Sequence, residues 1–280
     1  MTVNKKRMDA ILHGLIEKNL DDFTWTASNF DLRTLYKAED TIDLMVASKL
    51  QNATLAVESA SPKTQKWMNK NLDLSKAEVV YNWFLKHDIP IKITLMVGFP
   101  TESDEDILET IDFAYKLNPH EIQINIVTPW PGTKLYDFSV KNNYRDGEIK
   151  KEDLDHRKAM GFINVPWKYE KLNTMVYDAN IHINFLNARD LNNPKHHDRL
   201  LNKWLKLAEG LQKHAILLIC LGYLYKQMKE FRKSDVYYTK ANILYMEEQV
   251  QTIYGKYLKY EENPIIQDYK SFVSLYLSKK

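Results

Sequence analysis

Three apolar, strand-like runs of this 280-residue chain each end in residues that could bind a ligand. Glu58 and Ser59 end the first run, Gly98 follows the second, and the segment Thr128–Thr133 follows the third. Gly98 permits an unusual backbone angle, and Pro100 after it ends the strand ladder. Parallel α/β folds bind their ligands at the carboxyl ends of the strands. We therefore expect these residues to meet at one edge of a sheet.

The elements that position these residues alternate between strand and helix. Ile91–Val97 is a short apolar run with β-branched residues, which predicts a buried parallel strand. Ser103 and Asp106 form a capping-box pattern, which predicts the start of a helix. Glu121–Val127 alternates apolar and polar residues and predicts the next strand.

The preceding part of the chain shows the same alternation. Ser61 followed by Pro62 predicts a helix N-cap, and Ser75–Glu78 predicts a capping box. The predicted elements are a helix at 5–20, strand at 23–28, helix at 41–50, strand at 54–57, helix at 75–87 and, after the central unit, helix at 135–142. Such alternation is typical of a parallel sheet or part of a barrel. The predicted fold class is α/β, a partial parallel barrel of about four strands followed by an α-helical tail.

Composition narrows the class of protein. Hydrophobic residues make up 44% of the chain and aromatic residues 12%, which is enough for a packed core. The net charge of +2 gives no reason to expect a nucleic acid or an anionic membrane as partner. No apolar run approaches the roughly 20 residues of a membrane span. These features predict a cytoplasmic protein.

The chain enters its predicted barrel on a helix rather than on a strand. The strand near 23–28 would then be left at an edge without a partner. An apolar parallel strand at an edge invites aggregation, so another segment should cover it. We expect the partner to be an upstream barrel segment or a second chain, and we expect residues 1–187 to self-associate without it.

Four segments in order resemble the radical S-adenosylmethionine (SAM) superfamily: Leu55–Ser61, Met68–Lys70, Val97–Glu102 and Thr128–Thr133. The closest subgroup in these segments is the cobalamin-binding-domain type, similar to anaerobic magnesium-protoporphyrin monomethyl ester cyclases and related methyltransferases. The resemblance covers roughly Met1–Asn187 and implies a partial barrel of radical SAM type. Each segment alone is weak, whereas the ordered set is specific.

The resemblance implies a SAM cleft at the strand ends. Glu58 and Ser59 match a pair near the ribose and amino-acid part of SAM. Residues 97–100 match the segment that packs against the adenosyl group, and residues 127–133 match the strand end whose main chain contacts the adenine. Glu102 matches an acidic residue that steadies the loop after Gly98. The implied cofactor-binding residues are Glu58, Ser59, Val97, Gly98, Phe99, Pro100, Glu102, Val127, Thr128, Pro129, Gly132 and Thr133. Taken singly, such residues are also typical of strand ends, helix caps and tight turns. No catalytic residue and no metal ligand is assigned.

The departures from the family concern its iron–sulfur cluster. The CxxxCxxC loop of the family is absent, and so is the acidic motif that grips the SAM amino group. The chain has a single cysteine, Cys220, which lies on an apolar helix. Three thiolates are needed for the cluster of this family. An iron–sulfur cluster and cobalamin are therefore expected only if a missing upstream part supplies them.

The second half of the chain is predicted to be helical. The predicted divisions are a partial barrel at 1–145, a cap over the barrel at 146–190 and a helical tail at 191–280. Within the tail, His214–Met246 resembles a tetratricopeptide repeat, in which Gly222 and Ala241 would let two helices approach closely. One such hairpin cannot bury its own face, so it requires neighbouring helices or a protein partner.

These observations favour the C-terminal part of a radical SAM enzyme, cyclase-like or methyltransferase-like, that contributes the SAM cleft and is inactive alone. The alternative is a degenerate, non-catalytic interaction protein that uses its helical tail. A phosphate-binding (βα) enzyme ranks last because the chain lacks a glycine-rich phosphate loop.

Overall fold

The computed structural model describes residues 4–19, 21–30, 32–145 and 162–278. It divides the chain into two compact units, 1–180 and 181–280. The first part of the predicted cap, 146–161, lies outside the described residues. The predicted domain divisions stay a prediction.

A four-stranded parallel sheet forms the centre of the first unit. Its strands are β1 (Trp25–Phe30), β2 (Leu50–Glu58), β3 (Ile91–Val97) and β4 (Glu121–Ile126), in the order β1-β2-β3-β4. Among the described residues the sheet is open, with β1 and β4 at its edges. With the helical second unit, this confirms the predicted α/β class and is consistent with a partial radical SAM barrel.

Helices follow each strand, and several pack on one another. The helices of the first unit are α1 (Lys5–Lys18), α2 (Leu32–Leu35), α3 (Glu39–Ala47), α4 (Pro62–Trp67), α5 (Leu74–Lys86), α6 (Asp104–Leu117), α7 (Lys134–Lys141) and α8 (Tyr169–Ile181). The α5 helix contacts β2 and β3, α6 contacts β3, and α1 packs on α3. Leu50 begins β2, so its predicted place in the preceding helix is wrong. The helix ends earlier because Lys49 takes a left-handed backbone conformation, with φ of 68°.

The two faces of the sheet differ in polarity. In β3, alternate residues from Ile91 to Val97 are buried, whereas Lys92, Thr94 and Met96 between them are only half-buried. Gln123 on the adjacent strand β4 pairs with Thr94 and is exposed. Parallel sheets normally have both faces covered. A half-polar second face is therefore the part of this sheet that remains open to a ligand or to further chain.

The loops after β2 and β3 end at helices whose N-termini are capped by side chains. Ser61 caps α4 with Pro62 in its first turn, and Ser103 with Asp106 forms a capping box at α6, as predicted. The predicted capping box at Ser75 is wrong. Asp73 caps α5 instead, because its carboxylate accepts from the Ser75 main-chain nitrogen at 3.1 Å and begins the helix earlier.

The second unit is helical. It begins with a π-helix (His182–Leu186) and contains α9 (His197–Gly210), α10 (Ala215–Gln227), α11 (Phe231–Leu244), α12 (Glu248–Tyr254), α13 (Pro264–Leu277) and 3-10 turns at Arg189–Asn192, Pro194–His196 and Gly255–Lys259. No helix among the described residues has the length and apolarity needed to cross a membrane. The α10 helix is buried on nearly all of its faces. Cys220 lies on this apolar helix, as predicted, and its side chain is buried.

The α10 and α11 helices pack closely at Gly222. A Cβ atom added there would lie 2.3 Å from Cδ1 of Tyr238, which no side chain tolerates without movement. Tyr238 is itself fixed by donating a hydrogen bond to Asp268 at 2.6 Å. The hairpin is present where the sequence predicts one, and its likeness to a tetratricopeptide repeat stays a prediction.

We expect Gly222→Ala to destabilise the chain by about 1–3 kcal/mol, because the added methyl group overpacks the contact with Tyr238. Gly210→Ala is the matched control, since a Cβ there meets no atom within 4 Å. That variant should leave stability unchanged or raise it slightly, through the lower backbone entropy of the unfolded chain. Scanning calorimetry compares the two, and equal melting temperatures would contradict the close approach.

Candidate functional site

The carboxyl ends of β2, β3 and β4 lie side by side. Glu58 pairs with Leu95 of β3, Val97 pairs with Ile126 of β4, and the Val127 nitrogen donates to the Val97 carbonyl at 2.9 Å. We call this edge, with the loops that follow it, the rim. The rim brings together the segments that carry the twelve predicted residues. Which of these residues bind SAM stays a prediction, and the structure shows what each one contacts.

Glu58 is the acidic group of the rim. Its φ is 69°, in a region that costs a non-glycine residue about 1–3 kcal/mol. Its carboxylate accepts from Lys70 Nζ at 3.1 Å, and the two side chains are 24% and 25% exposed. Lys70 also donates to the Ala56 carbonyl at 2.8 Å. Lys70 belongs to one of the four segments that resemble the family, but the sequence does not indicate that it pairs with Glu58.

A small cavity lies beside this ion pair. Its volume is about 200 Å³, below the roughly 300–1,000 Å³ of ligand pockets. The lining residues are Asn29, Phe30, Leu32, Arg33, Ala56, Lys70 and Leu72. A whole nucleoside cofactor would therefore have to lie across the open rim rather than inside this cavity.

Ser59 points away from the rim, into a buried polar cluster. Its hydroxyl lies 3.1 Å from the Thr110 hydroxyl, which also accepts from the Ala60 nitrogen at 3.0 Å. All the polar atoms of this contact are buried. Ser59 thus holds the β2 loop against α6 rather than facing a ligand. Thr110 could have been suspected from the sequence as a polar residue on the inner face of an apolar helix.

Asp106 also connects the loop after β2 with the start of α6, through three hydrogen bonds. Its carboxylate accepts from the Ser61 hydroxyl at 2.7 Å, from Lys63 Nζ at 2.7 Å and from the Ser103 nitrogen at 2.8 Å. Burial alone would raise the pKa of Asp106, but the hydrogen bonds from Lys63, Ser103 and Ser61 outweigh it and lower the pKa to about 2. Asp106 therefore stays ionised at neutral pH.

Glu102 fixes the backbone of the β3 loop. Its side chain is fully buried, and Oε2 accepts from the main-chain nitrogens of Gly98 at 2.7 Å and Phe99 at 2.9 Å. Oε1 accepts from the Thr64 hydroxyl at 3.0 Å. Burial raises the pKa of Glu102 to about 7, although the bonds from Phe99, Gly98 and Thr64 lower it in part. This geometry agrees with the loop-steadying role that the resemblance implies.

Gly98 is covered by the chain itself. Its φ is 87°, and a Cβ atom there would lie 2.8 Å from Cδ2 of Leu172 and 3.3 Å from Cγ2 of Ile126. Trp167 lies against the same glycine and donates from Nε1 to the Phe99 carbonyl at 3.0 Å. This side of Gly98 is thus packed rather than open. Trp167 follows Phe99 by 68 positions, so no local sequence signal indicates the contact.

The remaining predicted residues divide by exposure. Val97, Phe99, Pro100, Val127 and Pro129 are buried, whereas Thr128 is half-buried and Gly132 and Thr133 are exposed. The hydroxyl of Thr133 caps α7, accepting from the Tyr136 nitrogen at 3.2 Å. The accessible polar groups of the rim are therefore the Glu58 carboxylate, Thr128 and the main chain around Gly132.

These groups fit part of SAM and do not fit an iron–sulfur cluster. A carboxylate and main-chain groups along an open edge can bind a ribose and a base. The only cysteine is buried, and burial raises the pKa of its thiol, which disfavours the thiolate that binds iron. Nor do three His, Cys, Asp or Glu side chains come together as a metal site within the described ranges.

We expect Glu102→Ala to destabilise the chain by about 2–6 kcal/mol, because the buried Gly98 and Phe99 nitrogens lose their acceptor at about 1–3 kcal/mol each. Glu102→Gln is the matched control. Its amide oxygen can accept from both nitrogens, and its amide nitrogen can donate to the Thr64 hydroxyl. Denaturant titration measures both variants, and equal losses would contradict the role of the Oε2 acceptor.

The pH dependence of the free energy of unfolding distinguishes the parent chain from Glu102→Gln. The pKa of Glu102 is higher in the folded chain than in the unfolded chain, so its stabilising contribution is complete below about pH 4.5 and is lost as pH rises through about 7. Glu102→Gln should therefore remove a fall in the free energy of unfolding between pH 4.5 and 7. Asp106 does not interfere, because its contribution is lost only as pH falls from about 3.8 through about 2.

A family profile described as the Radical SAM superfamily matches residues 2–114, the part that carries β1 to β3 and most of α6. Among curated proteins, the chain is 30% identical over 142 residues to an uncharacterized methyltransferase from Pyrococcus horikoshii, covering 51% of this chain and 30% of that protein. It is 27% identical over 173 residues to bacteriochlorophyllide d C-12(1)-methyltransferase from Chlorobaculum tepidum, covering 60% of this chain and 37% of that protein.

A third relative is tRNA-2-methylthio-N(6)-dimethylallyladenosine synthase from Thermotoga petrophila. It is 32% identical over 105 residues, covering 37% of this chain and 22% of that protein. The chain thus spans less than half the length of these curated relatives. Strands β1 to β3 thus lie within the match to the radical SAM superfamily, β4 lies outside it, and methyltransferases are among the proteins to which the chain is similar.

Proposed function

We propose that this chain is the SAM-cleft part of a radical SAM enzyme of the methyltransferase or cyclase type, and that it is inactive by itself. The observation that carries the proposal is the rim. Three parallel strands end side by side, in a region that begins within the superfamily match. They leave the Glu58 carboxylate, Thr128 and the main chain around Gly132 accessible.

The residues of this chain would bind and orient SAM. Glu58, which is held in place by Lys70, would accept hydrogen bonds from the ribose hydroxyls. The main chain near Thr128 and Gly132 would hold the adenine, and Glu102 fixes the neighbouring loop by accepting hydrogen bonds from the Gly98 and Phe99 nitrogens. Bound SAM supplies a methyl group or, in this superfamily, a radical. A rigid, partly dry rim is the contribution that a protein makes to such a cofactor.

The remaining machinery belongs to another segment or chain in this proposal. The single buried cysteine cannot hold a cluster, so the iron–sulfur cluster and any cobalamin would come from an upstream segment or from a partner that pairs with β1. The lengths of the relatives support this, because each exceeds the part that the chain matches more than twofold. The cobalamin type and the cyclase-like chemistry rest on the resemblance alone.

A second candidate is a non-catalytic interaction protein. Its support is the packing of Trp167 and Leu172 on Gly98, where SAM-dependent relatives are expected to contact the adenosyl group. Under this second hypothesis, the barrel part keeps its fold but no longer binds SAM. SAM binding distinguishes the two candidates.

We expect the full chain to bind SAM weakly, and Glu58→Gln to raise the dissociation constant by about tenfold, since a hydrogen bond to a charged acceptor contributes about 1.5–3 kcal/mol. Glu121→Gln is the matched control. Glu121 also pairs with a lysine, Lys92 at 3.0 Å, but at the opposite end of the strands. Calorimetric titration measures both variants. Absence of SAM binding would favour the interaction protein, and equal weakening by both variants would contradict the rim as the site.

We expect anaerobic reconstitution with iron and sulfide to leave the chain colourless. Cys220 lies in the core of α10, and no second thiolate exists to complete a cluster. Iron and sulfide analysis with a visible spectrum checks this, and Cys220→Ser is the control for iron bound non-specifically. A stoichiometric cluster that Cys220→Ser removes would contradict this assignment.

A further inference from the structure

The second unit contains a groove that the proposed function does not use. It lies between the end of α11, the 3-10 turn Gly255–Lys259 and α13, and its volume is about 650 Å³. That volume is within the range of ligand pockets, about 300–1,000 Å³. The lining residues are Asn242, Tyr245, Met246, Gln251, Gly255, Lys256, Leu258, Lys259, Tyr269, Lys270 and Val273.

The charged residues that line the groove are all lysines. Lys270 forms an exposed ion pair with Glu261 at 3.0 Å, and Lys256 lies over the ring of Tyr257 at 5.1 Å. Lys259 forms neither an ion pair nor a side-chain hydrogen bond with the rest of the described chain. Among the described residues, no carboxylate lines the groove. Its charge is therefore complementary to an anionic ligand.

The floor and mouth of the groove are apolar. Tyr245 and Tyr269 are buried in the floor, and Leu258 and Val273 are half-buried beside them. Met246 is 70% exposed at the mouth. Methionine side chains adapt to varied apolar partners and are common at surfaces that bind peptides. An exposed apolar mouth suits a ligand that extends beyond the groove, rather than a small enclosed molecule.

The charge of the surrounding unit has the same sign. Residues 181–280 contain sixteen Lys and Arg against ten Asp and Glu, whereas residues 1–180 contain twenty-three against twenty-seven. The net charge of the whole chain is only +2, because the opposite charges of the two units nearly cancel. A basic unit attracts acidic partners over a distance and raises their association rate.

We propose that the groove binds an acidic peptide segment of a partner protein, with an aliphatic or aromatic side chain on the tyrosine floor and carboxylates on Lys256, Lys259 and Lys270. The apolar side chain supplies the anchor, and the lysines select the sign of charge. This surface is independent of the SAM cleft.

Gly255 allows the groove to be tested without strain. A Cβ atom there meets nothing within 4 Å, and the backbone of this glycine is helical, with φ of −57°. Gly255→Glu therefore places a carboxylate among the lysines with little cost to the fold. Gly255→Ala adds only a methyl group and is its matched control.

The experiment uses the full chain and two pools of short fluorescent peptides with the same aliphatic and aromatic residues. One pool carries Asp and Glu, and the other carries Lys and Arg at the same positions. Fluorescence polarisation should show binding of the acidic pool only. Gly255→Glu should weaken that binding by about tenfold or more, whereas Gly255→Ala should change it by less than about twofold. Melting temperatures show that both variants are folded.

A second pair of variants separates the groove from general charge. Lys259→Ala should weaken acidic-peptide binding by about threefold to tenfold. Lys206→Ala removes the same charge from α9, outside the groove, and should have no comparable effect. The proposal would be overturned if the two peptide pools bound equally, or if the two variants of either pair, at Gly255 or at Lys259 and Lys206, had equal effects. It would also be overturned if a single-stranded RNA probe bound more tightly than the acidic peptides and its binding depended on Lys259.

Discussion

The Glu102 carboxylate determines the shape of the candidate site. Its Oε2 atom binds the main-chain nitrogens of Gly98 and Phe99, which would otherwise be buried without an acceptor. The Gly98 backbone is left-handed, a conformation that glycine adopts without the steric cost that a Cβ atom would bring. The end of β3, the position of α6 and the packing of Trp167 all depend on this loop.

Buried polar groups extend this constraint to the neighbouring loop. Asp106 binds Ser61 and Lys63, and Thr110 binds Ser59, so the loops after β2 and β3 form one connected structure. A buried network of this kind is stabilising only when every member has a partner. The loops of the rim are therefore held together by buried residues. Glu58 remains at its surface, in a strained conformation beside Lys70.

The two units have different chemical character. The first unit has a half-polar sheet face and a rim with an accessible carboxylate, and its Lys and Arg are outnumbered by Asp and Glu. The second unit is basic, and its helices enclose a core rich in tyrosine, with a groove bounded by lysines. The proposed SAM site and the proposed peptide groove are therefore assigned to different units of the chain.

The sequence by itself determined the strands, most helices and the order of the segments at the rim. Ile91–Val97 and the Ser103 cap are local patterns, and their hydrogen bonds and apolar periodicity involve near neighbours only. The tertiary structure decided which predicted site residues remain accessible. Ser59 turns inward to Thr110, and Trp167 and Leu172 cover Gly98, through contacts more than 50 positions apart in the chain. Such contacts leave no periodic trace in the sequence, because they depend on how strands and helices pack and not on the conformation of any one segment.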